Sequence, residues 1–179
     1  MTRSVFALVV ALLLLAGPAS AAQLLVPMDG SQTNHLKAYG LAFKVLQKGQ
    51  PISWMLNYRG GSFVMPASGF VDVEARLMGV TVERVSTADV AAIRRTVAEE
   101  NMDEVLLEVP PRIAIYAPPN HQPWDDAVTL ALTYAEIEFD TIFDAEVLGG
   151  ELAEYDWLHL HHEDFTGQYG KFYMNFGRT

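Results

Sequence analysis

The chain has 179 residues, of which 50% are hydrophobic and 19% are charged, a balance typical of a globular protein rather than a disordered one. Its formal net charge of −10 disfavours nucleic acid and anionic membrane surfaces as partners, because the phosphate groups of both would be repelled. The absence of cysteine excludes disulfide bonds, a thiol nucleophile, a thiolate zinc site and an iron–sulfur cluster.

Residues 1–21 have the three parts of a cleavable secretory signal peptide. Arg3 supplies the positive charge, residues 5–16 form the apolar stretch, and a small-x-small cleavage site follows at residues 19–21. The apolar stretch is shorter than the roughly 20 residues that cross a bilayer. We therefore expect an exported, periplasmic or extracellular protein with no stable membrane span after cleavage. A retained N-terminal anchor is the alternative.

The first part of the mature chain predicts a β-α-β unit. The continuous apolar run of residues 24–28 is typical of a strand buried on both faces. Ser31 or Thr33 can cap a helix that ends near Lys48, and residues 52–58 predict the second strand. We interpret residues 59–69 as a loop.

A double proline, Pro110-Pro111, follows the next predicted elements and marks the boundary between two halves, residues 22–109 and 110–179, because proline stops both helices and strand pairing. The elements before it are a short helix over residues 70–79, a strand over 80–85, a capped helix over 89–101, and residues 105–109 as a strand or a lead into the prolines.

The pattern of strands and helices restarts after the prolines. The predicted elements are a strand over residues 113–116, a helix over 124–137, and strands over 139–143 and 155–161. Strands that alternate with helices predict an α/β fold with a mainly parallel sheet and flanking helices, similar to Rossmann and flavodoxin-like folds. No closing helix follows the last strand. We expect either a protein partner or a missing C-terminal region to cover it, and favour an incomplete C-terminus.

Three of the five histidines cluster at positions 159, 161 and 162. On a strand, His159 and His161 point to the same face. With Asp164 they could hold a divalent metal, and with Glu163 they could act as catalytic acid–base groups, so His159, His161 and Glu163 are the candidate catalytic residues. The alternative is a polar strand end whose histidines bond to loop backbone.

Two other segments contain candidate ligand-binding residues, each directly after a predicted strand. Backbone N–H groups at a helix start or in a glycine-rich turn favour a carboxylate or phosphate, and a nearby cation strengthens this preference. Because carboxyl ends of parallel strands share one edge, we expect both segments to lie together. Helix capping and an ordinary turn are the alternatives. The candidate residues are Asn34, His35, Lys37, Arg59, Gly60, Gly61 and Ser62.

A third loop, residues 118–126, contains His121 and Trp124 and precedes a predicted helix. Asp125 and Asp126 would stand in the first turn of that helix, where carboxylates suit the helix dipole. We favour capping by these two aspartates, with Trp124 as a packing anchor. No Gly-x-Ser-x-Gly or His-Glu-x-x-His motif is present in the sequence.

Four segments resemble a bacterial exported family that carries the label asparagine synthetase B: VPMDGSQTNHLKAYGLAF, LNYRGGSF, PPNHQPWDDAVTLAL and YDWLHLHHEDFTGQYGKF. Members of this family extend beyond the length of this chain, which agrees with an incomplete C-terminus. From Arg112 onward the element order is also similar to the opening of a class I glutamine amidotransferase-like domain. That resemblance implies a flavodoxin-like fold whose nucleophile lies later than this sequence reaches.

We expect this protein to bind a small molecule rather than to perform the synthetase chemistry that the family label names. Glutamine-dependent asparagine synthetases have an N-terminal cysteine and a Ser-Gly-Gly-x-Asp-Ser loop, and this sequence has neither. We therefore expect a small polar or anionic ligand at the carboxyl edge of the sheet. A metal- or His/Glu-dependent hydrolase and an envelope protein-interaction module are the alternatives, so the sequence leaves open whether the protein is an enzyme.

Overall fold

Residues 23–119 and 126–160 are described by a computed structural model, and they form two sheets. The predicted signal peptide lies outside these residues. None of the helices in the described ranges has the length and apolar character needed to cross a membrane. The elements of the first half are β1 (Gln23–Val26), α1 (His35–Gln47), β2 (Ile52–Leu56), β3 (Ser62–Pro66), α2 (Gly69–Met78), β4 (Glu83–Val85), α3 (Thr87–Glu99) and β5 (Asp103–Leu107).

The first five strands form an antiparallel sheet in the order β4-β1-β3-β2-β5. Strand β3 lies between β1 and β2, so the β-α-β unit is split by an inserted strand. The order β-α-β-β-α-β of the first six elements, with this sheet order, is the ferredoxin-like arrangement. Helix α3 and strand β5 then add a fifth strand beside β2.

The prediction of a mainly parallel sheet is therefore wrong for the larger part of the chain. Residues 62–66, interpreted as part of a loop, are the strand that separates β1 from β2. The apolar runs do not distinguish the two kinds of sheet. This antiparallel sheet is covered on both faces, and a strand buried on both faces has a continuous apolar run whether its neighbours are parallel or antiparallel.

Helices cover the two faces of this sheet with separate hydrophobic clusters. Helices α1 and α2 pack on one face, where the buried side chains include Leu24, Val26, Leu41, Val45 and Val71. Helix α3 packs on the other face, where the buried side chains are Leu25, Met55, Val64, Val90, Ile93 and Val97. The alternation of Leu24, Leu25 and Val26 between the clusters shows the period of two expected of a strand.

The second half forms a small parallel sheet. Its elements are β6 (Ile113–Tyr116), α4 (Ala127–Ala135), β7 (Asp140–Ile142), α5 (Asp144–Gly149) and β8 (Trp157–Leu160). The strand order is β7-β6-β8, and both neighbouring pairs are parallel. The parallel pairing expected after the double proline is thus present, but only in these three strands.

Helix α1 connects the two sheets, because it packs on the first sheet and against α4. A Cβ atom added to Gly40 would lie 1.7 Å from the carbonyl oxygen of Ala135, so the two helices touch through their backbones. Lys37 and Lys44 each place Nζ 2.6 Å from a carboxylate oxygen of Glu136, and their hydrogen bonds lower the pKa of Glu136 to about 2.

Candidate functional site

The carboxyl ends of the parallel strands β6 and β8 lie side by side, and we call the space beyond them the crevice. From β6 the chain runs to α4 and β7, on the side away from β8. In open α/β sheets, ligands bind outside the carboxyl ends of the strands.

A carboxylate and an imidazole meet at this crevice. His159 lies on β8, opposite Ile115 of β6. Its Nε2 atom is 2.6 Å from Oδ2 of Asp126, the residue that precedes α4. Asp126 is only 3% exposed to solvent, whereas the side chain of His159 is 22% exposed. The imidazole is therefore accessible to a ligand and the carboxylate behind it is not.

Asp126 is held in place by the helix that it caps. Its Oδ1 atom accepts hydrogen bonds from the amides of Val128, at 2.6 Å, and Thr129, at 3.1 Å. These bonds satisfy two of the N–H groups that every helix start leaves without a partner. Capping by Asp126 agrees with the sequence analysis; Asp125, Trp124 and His121 lie outside the described residues.

The charge of Asp126 determines which nitrogen of His159 carries the proton. Burial acts to raise the pKa of Asp126, but hydrogen bonds from His159 and the Thr129 and Val128 amides outweigh it, and the pKa lies below its usual value. An ionised carboxylate only accepts hydrogen bonds, so Nε2 of His159 must be the donor. In the neutral ring Nδ1 then carries a lone pair, and no residue in the described ranges bonds to it.

This arrangement can move a proton. An imidazole with one nitrogen bound to a buried carboxylate keeps one tautomer and one orientation, and its other nitrogen can accept a proton. Sequence analysis selected His159 but did not pair it with Asp126. The pairing follows from β6 and β8 being neighbours in the sheet, which a single strand's sequence pattern does not reveal.

The predicted metal site is only partly within the described residues. His159 is described, whereas His161 and Asp164, and the candidate acid–base residue Glu163, lie outside. Within residues 23–119 and 126–160, no group of three or more histidine, aspartate or glutamate side chains is arranged to hold a metal ion. A divalent metal at His159, His161 and Asp164 stays a prediction from the sequence.

Arg59, the proposed anion contact, is instead paired with two carboxylates. Its Nε atom lies 2.6 Å from Oδ2 of Asp29, and Nη1 lies 2.8 Å from Oε2 of Glu83. These contacts raise the pKa of Arg59 and, together with bonds from Ser31, lower that of Asp29. The positive charge is thus compensated within the protein, and an anion would have to compete with both carboxylates.

The segments after β1 and β2 do lie together, as expected, but for a different reason. Both strands are antiparallel to β3 and so run in the same direction, which places their carboxyl ends at one edge. The Met28 amide donates to the Arg59 carbonyl at 3.0 Å. Gly60 has a φ of 82°, and a Cβ there would lie 2.4 Å from the Met28 carbonyl oxygen. This glycine is required for the close approach of the two segments.

The neighbouring glycine and serine of this loop also have structural roles. Gly61 has a φ of 96°, in the left-handed region that favours glycine. Ser62 is fully buried, and its hydroxyl donates to the Tyr58 carbonyl at 3.0 Å. Neither residue offers a free side-chain group to a ligand.

The candidate residues at the start of α1 also have partners within the protein. Asn34, rather than Ser31 or Thr33, caps the helix, since its Oδ1 accepts from the Lys37 amide at 3.1 Å. The Nδ2 atom of Asn34 donates to the Tyr134 hydroxyl at 2.5 Å. His35 places Nε2 3.1 Å from the Met28 carbonyl oxygen. With Lys37 bound to Glu136, these contacts are typical of a structural role.

Sequence analysis also missed Gln32, a buried polar residue that joins two loops. Its Nε2 atom donates to the Pro27 carbonyl at 2.9 Å, and its Oε1 atom accepts from the Thr81 amide at 2.9 Å. The contact spans 49 positions in the sequence, so no local pattern reports it.

Comparison with protein families, curated proteins and solved structures finds no match to this chain.

Proposed function

We propose that the crevice at the carboxyl ends of β6 and β8 binds a small polar ligand, and that His159, oriented by Asp126, exchanges a proton with it. The observation that carries this proposal is the 2.6 Å contact between the buried carboxylate and the accessible imidazole. A buried, ionised partner is what keeps a general base in one tautomer.

The charges at the crevice favour a ligand that donates a hydrogen bond. Neutral His159 offers a lone pair on Nδ1, and the nearby charge of Asp126 is negative, as is the net charge of −10 of the chain. A hydroxyl or amine group is therefore a better partner than a carboxylate or phosphate. Water is such a donor as well, and proton transfer from water is the first step of base-catalysed hydrolysis.

The predicted tautomer can be tested directly by ¹⁵N NMR of the imidazole nitrogens. In the neutral ring, we expect the proton on Nε2 of His159 and a lone pair on Nδ1. The Asp126→Asn variant should shift the balance toward a mixture of tautomers, because the charged acceptor is lost. A proton found mainly on Nδ1 in the unaltered protein would contradict the proposal.

Ligand binding can be tested with a thermal-shift screen of amino alcohols, amino acids and dicarboxylates. We expect compounds with a hydroxyl or amine donor to raise the unfolding midpoint, and dicarboxylates to have a smaller effect. The shift should be lost in His159→Gln.

Substitution of a second histidine tests whether the ligand binds at this site or in the region around Arg59. His35→Gln removes a histidine at the start of α1, beside the Met28 carbonyl. A shift that persists in His159→Gln and disappears in His35→Gln or Arg59→Lys would place the ligand at the antiparallel sheet, and the proposed site would be wrong.

A further inference from the structure

An apolar cavity of about 510 Å³ lies between the two sheets. It is lined from both halves of the chain, and the lining residues within the described ranges all have apolar or aromatic side chains. The first sheet and α1 contribute Tyr39, Trp54 and Phe63, and the second half contributes Ile113, Leu132 and Trp157. The volume falls within the range of about 300–1,000 Å³ that is usual for small-molecule sites.

The wall on the side of the first sheet is aromatic. Phe63 stacks on Trp54, with ring centroids 5.9 Å apart and planes at 24°, and meets the edge of Tyr39 at 5.6 Å. The indole N–H of Trp54 already donates to the Gly61 carbonyl at 3.0 Å. Tyr39 and Trp157 remain 42% and 44% exposed at the rim. Such walls suit an uncharged ring or a short aliphatic group.

The elements that line the cavity also carry the Asp126–His159 pair. Trp157 and His159 are two residues apart on β8 and so project from the same face, about 6.6 Å apart along the strand. Their partners on β6 are Ile113, which lines the cavity, and Ile115. Leu132 of α4 also lines the cavity, while Asp126 stands at the start of that helix.

We infer that the ligand has two parts: an apolar ring or short aliphatic group that fills the cavity, and a hydroxyl or amine about 6–7 Å away that bonds to His159. This inference rests on the proposed function and names the class of its ligand, an aryl or alkyl alcohol or amine. No described residue that lines the cavity is charged, which argues against a charged occupant of the cavity itself.

Three probes test the inference: 3-phenylpropan-1-ol, propylbenzene and 3-phenylpropanoate. All have a phenyl ring on a three-carbon chain, and they differ in the group at the end of that chain. Binding is followed by ¹H–¹⁵N NMR of the full chain, using the Trp157 indole N–H and the Leu132 amide. We expect all three probes to shift these signals, with the alcohol binding roughly 3- to 10-fold more tightly than propylbenzene, the gain of one hydrogen bond. The propanoate should bind most weakly.

Variants separate the two parts of the site. His159→Gln should abolish the advantage of the alcohol over propylbenzene, while both still bind. Trp157→Ala, or Trp157→Leu if the alanine variant fails to fold, should weaken all three probes. Leu148→Ala is the control, because Leu148 is 87% exposed on α5 and does not line the cavity; it should change nothing.

The possible failures are distinguishable. One outcome is that ethanolamine shifts the His159 signals while no phenyl probe binds more tightly than ethanolamine does. If Trp157→Ala also leaves binding unchanged, the apolar subsite is wrong and the proposed function stands. If the phenyl probes bind at Trp157 but the alcohol keeps its advantage in His159→Gln, the proposed role of His159 is wrong. A Trp157 signal that moves on dilution without any probe would show a second copy in the cavity and overturn the inference.

Discussion

Asp126 combines two functions in one side chain. One carboxylate oxygen accepts from the first-turn amides of α4, and the other contacts the imidazole of His159. The capping function is readable from the sequence, because aspartate is a preferred N-cap residue directly before a helical pattern. The second function is not, since it depends on two residues 33 positions apart meeting across the sheet.

Two substitutions at Asp126 separate these functions. Asp126→Ala removes both and should lower the free energy of unfolding by about 1 kcal/mol or more, the usual value of an N-cap. Asp126→Asn keeps a carbonyl oxygen for the cap and should cost less. Urea unfolding followed by circular dichroism measures both. Equal losses in the two variants would show that the cap contributes nothing.

The same variants predict a pH dependence. Because the pKa of Asp126 in the folded protein lies below its ordinary value of 3.8, its charge stabilises the fold above about pH 3.8. That contribution is lost as the pH falls through the lower, folded value. The stability difference between the unaltered protein and Asp126→Asn should therefore shrink as the pH falls below about 3.8. A difference that grows below about pH 3.8 would contradict the direction of the pKa shift.

At the scale of elements, the decisive contact is the backbone approach of α1 to α4 at Gly40. Glycine destabilises the interior of a helix relative to alanine. At Gly40 in the middle of α1, however, the Ala135 carbonyl leaves no room for a side chain. Lys37 and Lys44, one turn before and one turn after Gly40 on α1, both bind Glu136, the residue next to Ala135. Two helices from different halves are thereby fixed at short range.

Gly40→Ala should be strongly destabilising. Its new methyl group would overlap the Ala135 carbonyl oxygen, and separating the helices should cost about 1–3 kcal/mol or more. Gly69→Ala is the matched control: it lies in α2 with no atom within 4 Å of the new Cβ, and should be neutral or slightly stabilising. Chemical unfolding of both variants gives the comparison. Equal stability of the two would mean that α1 and α4 do not touch as described.

The existence of most elements could be predicted from the sequence, but not their pairing. Helices α1, α2, α3 and α4 all lie where the hydrophobic pattern places them. Strand β3 was missed because it follows Gly60 and Gly61 directly and ends at Pro66, so turn signals enclose it. One missed strand was enough to change the predicted sheet, because its insertion between β1 and β2 replaces one parallel pair with two antiparallel pairs.

At the scale of the whole molecule, the two halves share a hydrophobic cluster. Phe43 of α1 is buried among Ile113, Ile115, Ala117 and Leu132 of the second half. Three short strands provide little core of their own. The small parallel sheet therefore depends on a side chain supplied from before the double proline.

Phe43→Ala should loosen the second half more than the first. The substitution should cost about 3–5 kcal/mol, and hydrogen exchange should accelerate at the Ile115 amide of β6 more than at the Leu25 amide of β1. Ile93→Ala, on the far face of the larger sheet, is the control and should have the opposite preference. Uniform acceleration in both variants would indicate a single cooperative unit.

The cap formed by Asp126 also links the motion of a helix end to the lifetime of the acid–base pair. Helix ends open more often than helix centres. When the first turn of α4 opens, the carboxylate loses the Val128 and Thr129 amides that hold it and is free to rotate away from His159. The time for which the pair stays assembled is then set by the fraying of α4. A ligand that holds His159 in place should in turn slow that fraying.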